Sequence, residues 1–358
     1  MQPKGNTINC TGQNVYIGID THLKNWKITI MLDHIDFRPF SHNPSPLELS
    51  RYLKRHFPDG KYYSAYEAGF CGFSVHRELM KYGIQNIVVN AADVPTTDKE
   101  RKQKEDKRDS RKIAKSLRSG ELTPLYIPQE ETIEFRSLVR YRKTLVKQIA
   151  QNKCRIKSFL YAHGYSIPDQ LASASKYWSG KFSKWIRSIE TTTEHGKIIL
   201  DDILDTTEFL RKKLLGLNKE LRKMSNEGKY SKTLQLLCSI PGIGLITAVT
   251  FLSEIENINR FKNLDKFCSY VGLVPTTHSS GDKDLTGNIT PRSNKPLRTV
   301  ITEAAWMAVR ADHDLALCFN EYCKKMKKNE AIIRIAKKLL NRIRFVLKNE
   351  VEYVYSIK

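Results

Sequence analysis

The run Tyr16-Ile17-Gly18-Ile19-Asp20 decides how the first third of this chain is read. Apolar residues lead into a carboxylate, Thr21 and His22 follow, and a second apolar run extends from Trp26 to Leu32. That pattern predicts a β-hairpin with an acid at its turn end. A side chain at the end of a core strand has a fixed base and an exposed head, which suits a metal ligand. Aspartate at a strand end is equally ordinary turn chemistry, so the residue alone decides nothing.

Working outward, residues 15 to about 125 alternate strand and helix. Pro46 to Phe57 is predicted helical, Tyr62 to Tyr66 a strand ending in Glu67, Gly72 to Tyr82 an amphipathic helix, and Ile87 to Asn90 a short buried strand. This is an α/β pattern with a mixed sheet. The segment Lys99 to Glu121 then changes character. Its window 101–120 holds nine Lys/Arg and three acids. Asp106 and Asp109 stand three apart, which on a helix puts both carboxylates on one face. Lys104, Lys107, Arg108, Arg111 and Lys112 flank them, so a phosphate and a cation could both be held there. A solvated charged helix is the plainer reading of the basic run.

Acids thus recur in one α/β domain, as Asp20, Glu67, Asp106 and Asp109. Oxygen-only ligands suit Mg²⁺ or Mn²⁺, which leave positions for water and phosphate. Two such ions serve phosphoryl transfer. The order strand-Asp, strand-Glu, helix-Asp resembles the RNase H-like nuclease fold.

The charge balance agrees. Sixty Lys+Arg against 38 Asp+Glu leaves a net charge of +22 in 358 residues. A polyanionic partner is the direct implication, because counterion release from phosphate backbones drives association. No apolar run reaches the length of a membrane span, and Met1 to Gln13 lacks the apolar core of a signal peptide. A cytoplasmic protein is expected. The seven cysteines stand singly, without zinc spacing, and are expected to be reduced thiols.

From Glu130 to His163 the chain predicts one long helix. Leu138, Leu145, Ile149, Ile156 and Phe159 follow a 3-4 spacing, with Arg142 and Asn152 between them. That suggests a coiled-coil arm and a dimerisation element, with an ordinary bundle helix as the alternative. Residues 164–195 are mixed and Ser-rich. A second helix, about Lys197 to Asn226, carries Ile199, Ile203, Leu210, Leu214, Leu217 and Leu221. Antiparallel pairing of the two is one expectation. Next, Ile240-Pro241-Gly242-Ile243-Gly244 between two helical stretches carries the signature of a helix-hairpin-helix. Its glycines would let the turn approach phosphate, and the amides of the next helix start would bind it. A tight helical turn without nucleic acid is the alternative. Leu273-Val274-Pro275 opens a polar loop, Thr276 to Lys283, and Gly287 to Arg298 leads to a helix from Thr299. Ser279-Ser280-Gly281 lies near Lys283, Arg292, Lys295 and Arg298. A hydroxyl among cations can act as a nucleophile, although a loop serine needs no such role. Lys327 to Lys348 closes the chain as a basic amphipathic helix.

Taken together, the motifs resemble the DEDD-type insertion-sequence transposases, the family of the Piv-like DNA invertases and of the bridge-RNA-guided recombinases. The likeness covers about residues 14–350. Gly18-Ile19-Asp20, Tyr66-Glu67-Ala68-Gly69 and Lys104-Glu105-Asp106-Lys107-Arg108-Asp109-Ser110 carry it in the N-terminal part, with Glu105 and Ser110 departing from the family's Thr and Ala. Ile240 to Gly244, Gly272 to Pro275, Ser280-Gly281 and Gly287 to Arg298 carry it in the C-terminal part. Pro291 and Ser293 replace the usual Lys and Gly there, and reshape the turn.

The resemblance implies an RNase H-like (RuvC-like) DEDD domain over 14–128, a coiled-coil or helical arm over 129–228, and a helical C-terminal transposase domain with a serine loop over 229–350. It implies that Asp20, Glu67, Asp106 and Asp109 hold Mg²⁺ and that Ser280 attacks a phosphodiester, with Ser279 as the fallback. It further implies a composite site from both halves, donor and target double-stranded DNA, a guide RNA, a homo-oligomer, and a prokaryotic, nucleoid-associated setting. Two other readings stand beside it: a RuvC-like junction nuclease that uses water, and a non-enzymatic basic protein with a decayed nuclease fold. The intact acids argue against the last.

Overall fold

The computed structural model describes residues 8–95, 106–173, 177–280 and 283–354; for 106–108, 277–280 and 283–286 it describes the backbone alone. The chain divides into two compact units, Met1–Ile127 and Pro128–Lys358.

In the first unit, β1 (Asn14–Asp20), β2 (Trp26–Met31), β3 (Phe40–His42), β4 (Lys61–Glu67) and β5 (Gln85–Val89) form one sheet in the order β3-β2-β1-β4-β5. β1 and β2 form the predicted hairpin, antiparallel with Asp20 opposite Lys27. β4 lies parallel to β1, and β5 parallel to β4. The central strand is covered on both faces, which explains its unbroken apolar run. Ile17 and Ile19 are fully buried against Leu49, Leu53 and Phe57. Those residues belong to α1 (Pro46–His56) and its C-cap. α1 starts where Ser45 accepts a hydrogen bond from the Glu48 amide and Pro46 takes the first turn. Leu79 of α2 (Ser74–Lys81) joins the same core. On the opposite face Gly18 meets α3 (Asp106–Arg118), whose Ile113 and Ala114 are buried. The edge strand β3 was not expected. It is three residues long, too short to show an alternation.

In the second unit, α4 (Glu130–Ala162) and α6 (Glu194–Asn226) are 33-residue helices packed antiparallel. Phe135 and Val139 share a cluster with Leu221, while Ile156 and Leu160 share one with Leu200 and Leu204. The expected register needs correction. Val139 and Leu160 are buried where Leu138 and Phe159 are only partly so, and Ile199 is 45% exposed. A strict 3-4 count drifts around the helix, so neighbouring positions exchange roles. Arg142 reaches across to Asn218 at 2.7 Å, and the buried Asn152 accepts from Arg155 at 2.8 Å. Between the long helices lies the short α5 (Gly180–Arg187).

The remaining helices are α7 (Ser231–Cys238), α8 (Leu245–Ile255), α9 (Leu264–Val271), α10 (Lys295–Ala311), α11 (His313–Lys325) and α12 (Lys328–Asn349). They bury one core through Leu237, Phe251, Phe267, Leu297, Ile301, Leu339 and Ile343. α10 starts at Lys295 rather than Thr299, because Asn294 caps it and Pro296 fits its first turn. The segment expected as a polar loop is a hairpin of β6 (Pro275–Ser280) and β7 (Lys283–Ile289). Its strands are mostly polar in sequence, so no apolar alternation marks them; two residues between the ends, Gly281-Asp282, carry the hairpin signal. Among the described residues no helix is long and apolar enough to cross a membrane.

Candidate functional site

In the first unit the acids converge through the backbone. Asp20 ends β1 and Glu67 ends β4. Because Ile19 lies opposite Tyr66 in a parallel pair, the two acids stand side by side at the carboxyl ends of adjacent strands. Both are half-buried, with the Asp20 side chain 22% exposed. His22 Nε2 lies 3.1 Å from Asp20 Oδ2. Beside Glu67, the Tyr66 ring is fully buried. Its hydroxyl donates to the Gly72 carbonyl at 2.9 Å and accepts from the His76 amide at 3.2 Å. Burial pushes the phenol far up, so it stays a neutral donor that ties down the loop after Glu67.

α3 is seated over the same face. Successive strand residues alternate, so Gly18 and Asp20 face one way. A methyl on Gly18 would run into the Ser110 carbonyl and the Ala114 amide, so only glycine lets the helix backbone rest there. The buried Ser110 hydroxyl meets Thr29 Oγ1 at 2.9 Å. This gives the Ser110 departure a partner on β2. At the other end of α3, Arg118 donates to the Leu32 carbonyl at 2.9 Å and to Asp36 at 2.8 Å. Leu32 follows Met31, the partner of Tyr16 near the start of β1. The helix therefore points its N-terminal end, with Asp106 and Asp109, toward the Asp20 end of the sheet. Asp109 is half-buried, and the Asp106 side chain lies outside the described ones. Among the described residues no group of three or more metal-ligating side chains is close enough to hold an ion. Lys104 falls outside the described residues, as do the side chains of Lys107 and Arg108. Arg111 is exposed and reaches Asp36 at 3.5 Å, and Lys112 is half-buried.

In the second unit Ser280 closes β6 directly opposite Lys283, and Ser279 lies opposite Asp284. The side chains of these four lie outside the described ones. The following segment is pinned. Arg298 donates to the Thr290 carbonyl at 2.6 Å and to the Gly272 carbonyl at 3.4 Å, so this cation braces the chain. Asn294 accepts from the Leu297 amide and donates to Glu254 at 3.0 Å and to the Tyr270 hydroxyl at 3.2 Å. Arg292 and Lys295 are exposed. Of the two departures, Pro291 is exposed, while Ser293 lies across the open face of Gly272, whose φ of +86° needs glycine.

Glu254 was not foreseen. It is 2% exposed and takes both Arg140 nitrogens at 2.7 and 2.9 Å. It thereby ties α4 and α8 to the cap of α10. A lone Glu in an apolar helix, with Arg136 and Arg140 one turn apart elsewhere, was the available signal.

The turn between α7 and α8 holds Gly242 and Gly244. Gly242 has φ +84°, and a Cβ there would lie 2.6 Å from the Ala304 carbonyl and the Ala308 amide of α10. Helix packing thus accounts for Gly242. Gly244 is exposed at the N-cap of α8, and its surroundings are open.

Comparison with known proteins finds two family matches, the first of which runs past Ile127 into the second unit. A DEDD transposase model of the IS110 group matches residues 17–164, and the model described as "Transposase IS116/IS110/IS902 family" matches 234–319. The transposase of insertion sequence element IS1533 from Leptospira borgpetersenii is 23% identical over 82% of this chain and 85% of its own length. Two Sinorhizobium fredii proteins with transposase designations, y4qE and y4rJ, are 27% and 28% identical. They match 68% and 76% of this chain. The chain spans 58% of the length of y4qE and 74% of that of y4rJ.

Proposed function

Because this chain belongs to the IS110 family of transposases, enzymes that cut and rejoin DNA, we propose that it moves a mobile element by phosphoryl transfer on DNA, with four acids as metal ligands and Ser280 as nucleophile. The observation that carries the reading is the pairing of Asp20 and Glu67 at adjacent parallel strand ends, on the face that α3 covers. The arrangement supports an RNase H-like fold for the first unit.

Half-buried carboxylates at a solvent-facing sheet end fit a hard divalent cation. Asp20, Glu67, Asp106 and Asp109 would hold Mg²⁺ or Mn²⁺. Such an ion supplies charge neutralisation at the phosphate when bound. Gly18 and the Ser110–Thr29 contact act by fixing the helix that bears two of the acids.

The serine step conserves bonds. The Ser280 Oγ–P bond forms as the P–O bond to a deoxyribose oxygen breaks. The serine loses its proton, and the departing hydroxyl gains one. The phosphoester remains, so attack by a new DNA end reverses the step and joins that end. The register that sets Ser280 opposite Lys283 supports a cation near the reacting phosphate. Ser279 is the fallback nucleophile. Arg292 and Lys295, exposed, and Gly244, at a helix N-terminus, are proposed phosphate contacts. A guide RNA and a homo-oligomer complete the proposed partners, with the α4/α6 hairpin as the subunit contact.

A trapping assay tests the reading. Protein purified with its RNA is mixed with Mg²⁺ and donor and target DNA, quenched in denaturant and digested for mass spectrometry. A nucleotide-linked peptide containing Ser279-Ser280, lost in Ser280→Ala, is expected. Cleavage without an adduct, unaffected by Ser280→Ala, would assign the nucleophile to water, as in a RuvC-like nuclease.

A further inference from the structure

The tip of the α4/α6 hairpin gathers aromatic residues that cutting and joining DNA do not call on. Tyr161, Tyr165 and Tyr177 line an open cavity of about 440 Å³ together with Ser166 and Ile167. Tyr161 is 64% exposed. Lys157 Nζ lies 4.2 Å from the centre of the Tyr177 ring, and Lys153 Nζ 5.2 Å from that of Trp178. The exposed His163 stacks on Phe159 with centroids 4.2 Å apart, and Tyr165 lies within 9° of parallel to Phe159. The Tyr165 hydroxyl donates to the Glu190 carbonyl at 3.3 Å, which anchors one wall.

Packing explains part of this cluster. Phe159, Tyr165 and Tyr177 lean on a small core with Phe182 and Ile186. Packing does not explain Tyr161, whose ring stands in solvent at the cavity rim. Nor does it explain two lysines held over rings instead of turned to water. An open aromatic face with an ammonium group close by matches a particular ligand. An unpaired base offers a face for stacking and a phosphate next to it, and every base has such a face. Bases inside a duplex do not expose theirs.

We propose that this cavity takes an unpaired nucleobase of a single-stranded nucleic acid, stacked against Tyr161, with Lys157 at the adjoining phosphate. The site uses neither the acids nor the serine, so it stands apart from the transfer chemistry. A looped RNA and an opened DNA strand share the chemistry it recognises.

Fluorescent oligouridine, oligodeoxythymidine and blunt duplex DNA are titrated into the full chain, and thio-substituted versions of the single strands are cross-linked and mapped. Cross-links within 157–177 are expected, with Tyr161→Ala weakening single-strand binding by about tenfold. Tyr161→Phe should keep binding, and duplex affinity should not move. Tighter binding of oligouridine names RNA as the source, and tighter binding of oligodeoxythymidine names DNA. Wild-type affinity for both single strands in Tyr161→Ala and in Lys157→Gln would overturn the site. Cross-links confined to other segments, or an equal loss on duplex DNA, would overturn it as well.

Discussion

At the scale of single side chains, the proposed chemistry and the bracing can be told apart. Asp109 stands on α3, one residue before the Ser110 that locks the helix to β2. Asp109→Ala is expected to abolish Mg²⁺-dependent strand cleavage while circular dichroism and the thermal midpoint stay near wild type. Full cleavage by that variant would remove Asp109 from the ligand set. Asp312 is a brace. It is 5% exposed, caps α11 and pairs with Arg342 at 2.7 Å. Burial raises its pKa, but hydrogen bonds from Arg342 and the Leu315 amide, with the charge of Arg342, outweigh that and hold the carboxyl below its ordinary value. A depressed carboxylate pKa gives stability that is present above the unfolded value of about 3.9 and lost as pH falls through the folded one. Asp312→Ala should therefore cost roughly 3–5 kcal/mol near neutrality, as for a broken buried pair. In denaturant melts the gap to wild type should narrow below about pH 4. A gap that does not change with pH would contradict this assignment.

At the level of elements, the docking of α3 on β1 rests on the missing side chain of Gly18. Gly18→Ala forces a methyl into helix backbone, which cannot swing aside as a flexible side chain does. The expected cost is about 1–3 kcal/mol of overpacking. Cleavage should fall further than that loss of stability implies, because Asp106 and Asp109 ride on the displaced helix. Hydrogen exchange over 106–118 reads the effect directly, and unchanged protection there would refute it. The strand-end acids and the helix bearing the other pair were legible in the sequence, since alternation and 3-residue spacing are local signals. The seat under the helix was not. It depends on Gly18 meeting Ser110 and Ala114, about ninety residues away in the chain. The polar β6–β7 hairpin was missed for a related reason. The sequences of its strands are mostly polar and leave no apolar alternation to count.

Across the whole molecule the net charge of +22 dominates. Duplex affinity should fall steeply with salt, by about a thousandfold between 50 and 200 mM if six phosphates are contacted. A flat response in a filter-binding or anisotropy series would contradict a phosphate-driven interface. The sequence by itself determined this charge, the alternating strands and helices of the first unit, the two long helices, and the order of motifs shared with the transposases. Those features follow from composition and short-range period, which the chain carries without folding. Only the tertiary structure decided which glycines serve packing. Gly18 and Gly242 both lie under helix backbone. It also decided that Arg298 spends its charge on carbonyls, and that Glu254 joins three helices through Arg140 and Asn294. Such roles are set by partners distant in sequence, and a residue's own type does not say who those partners are.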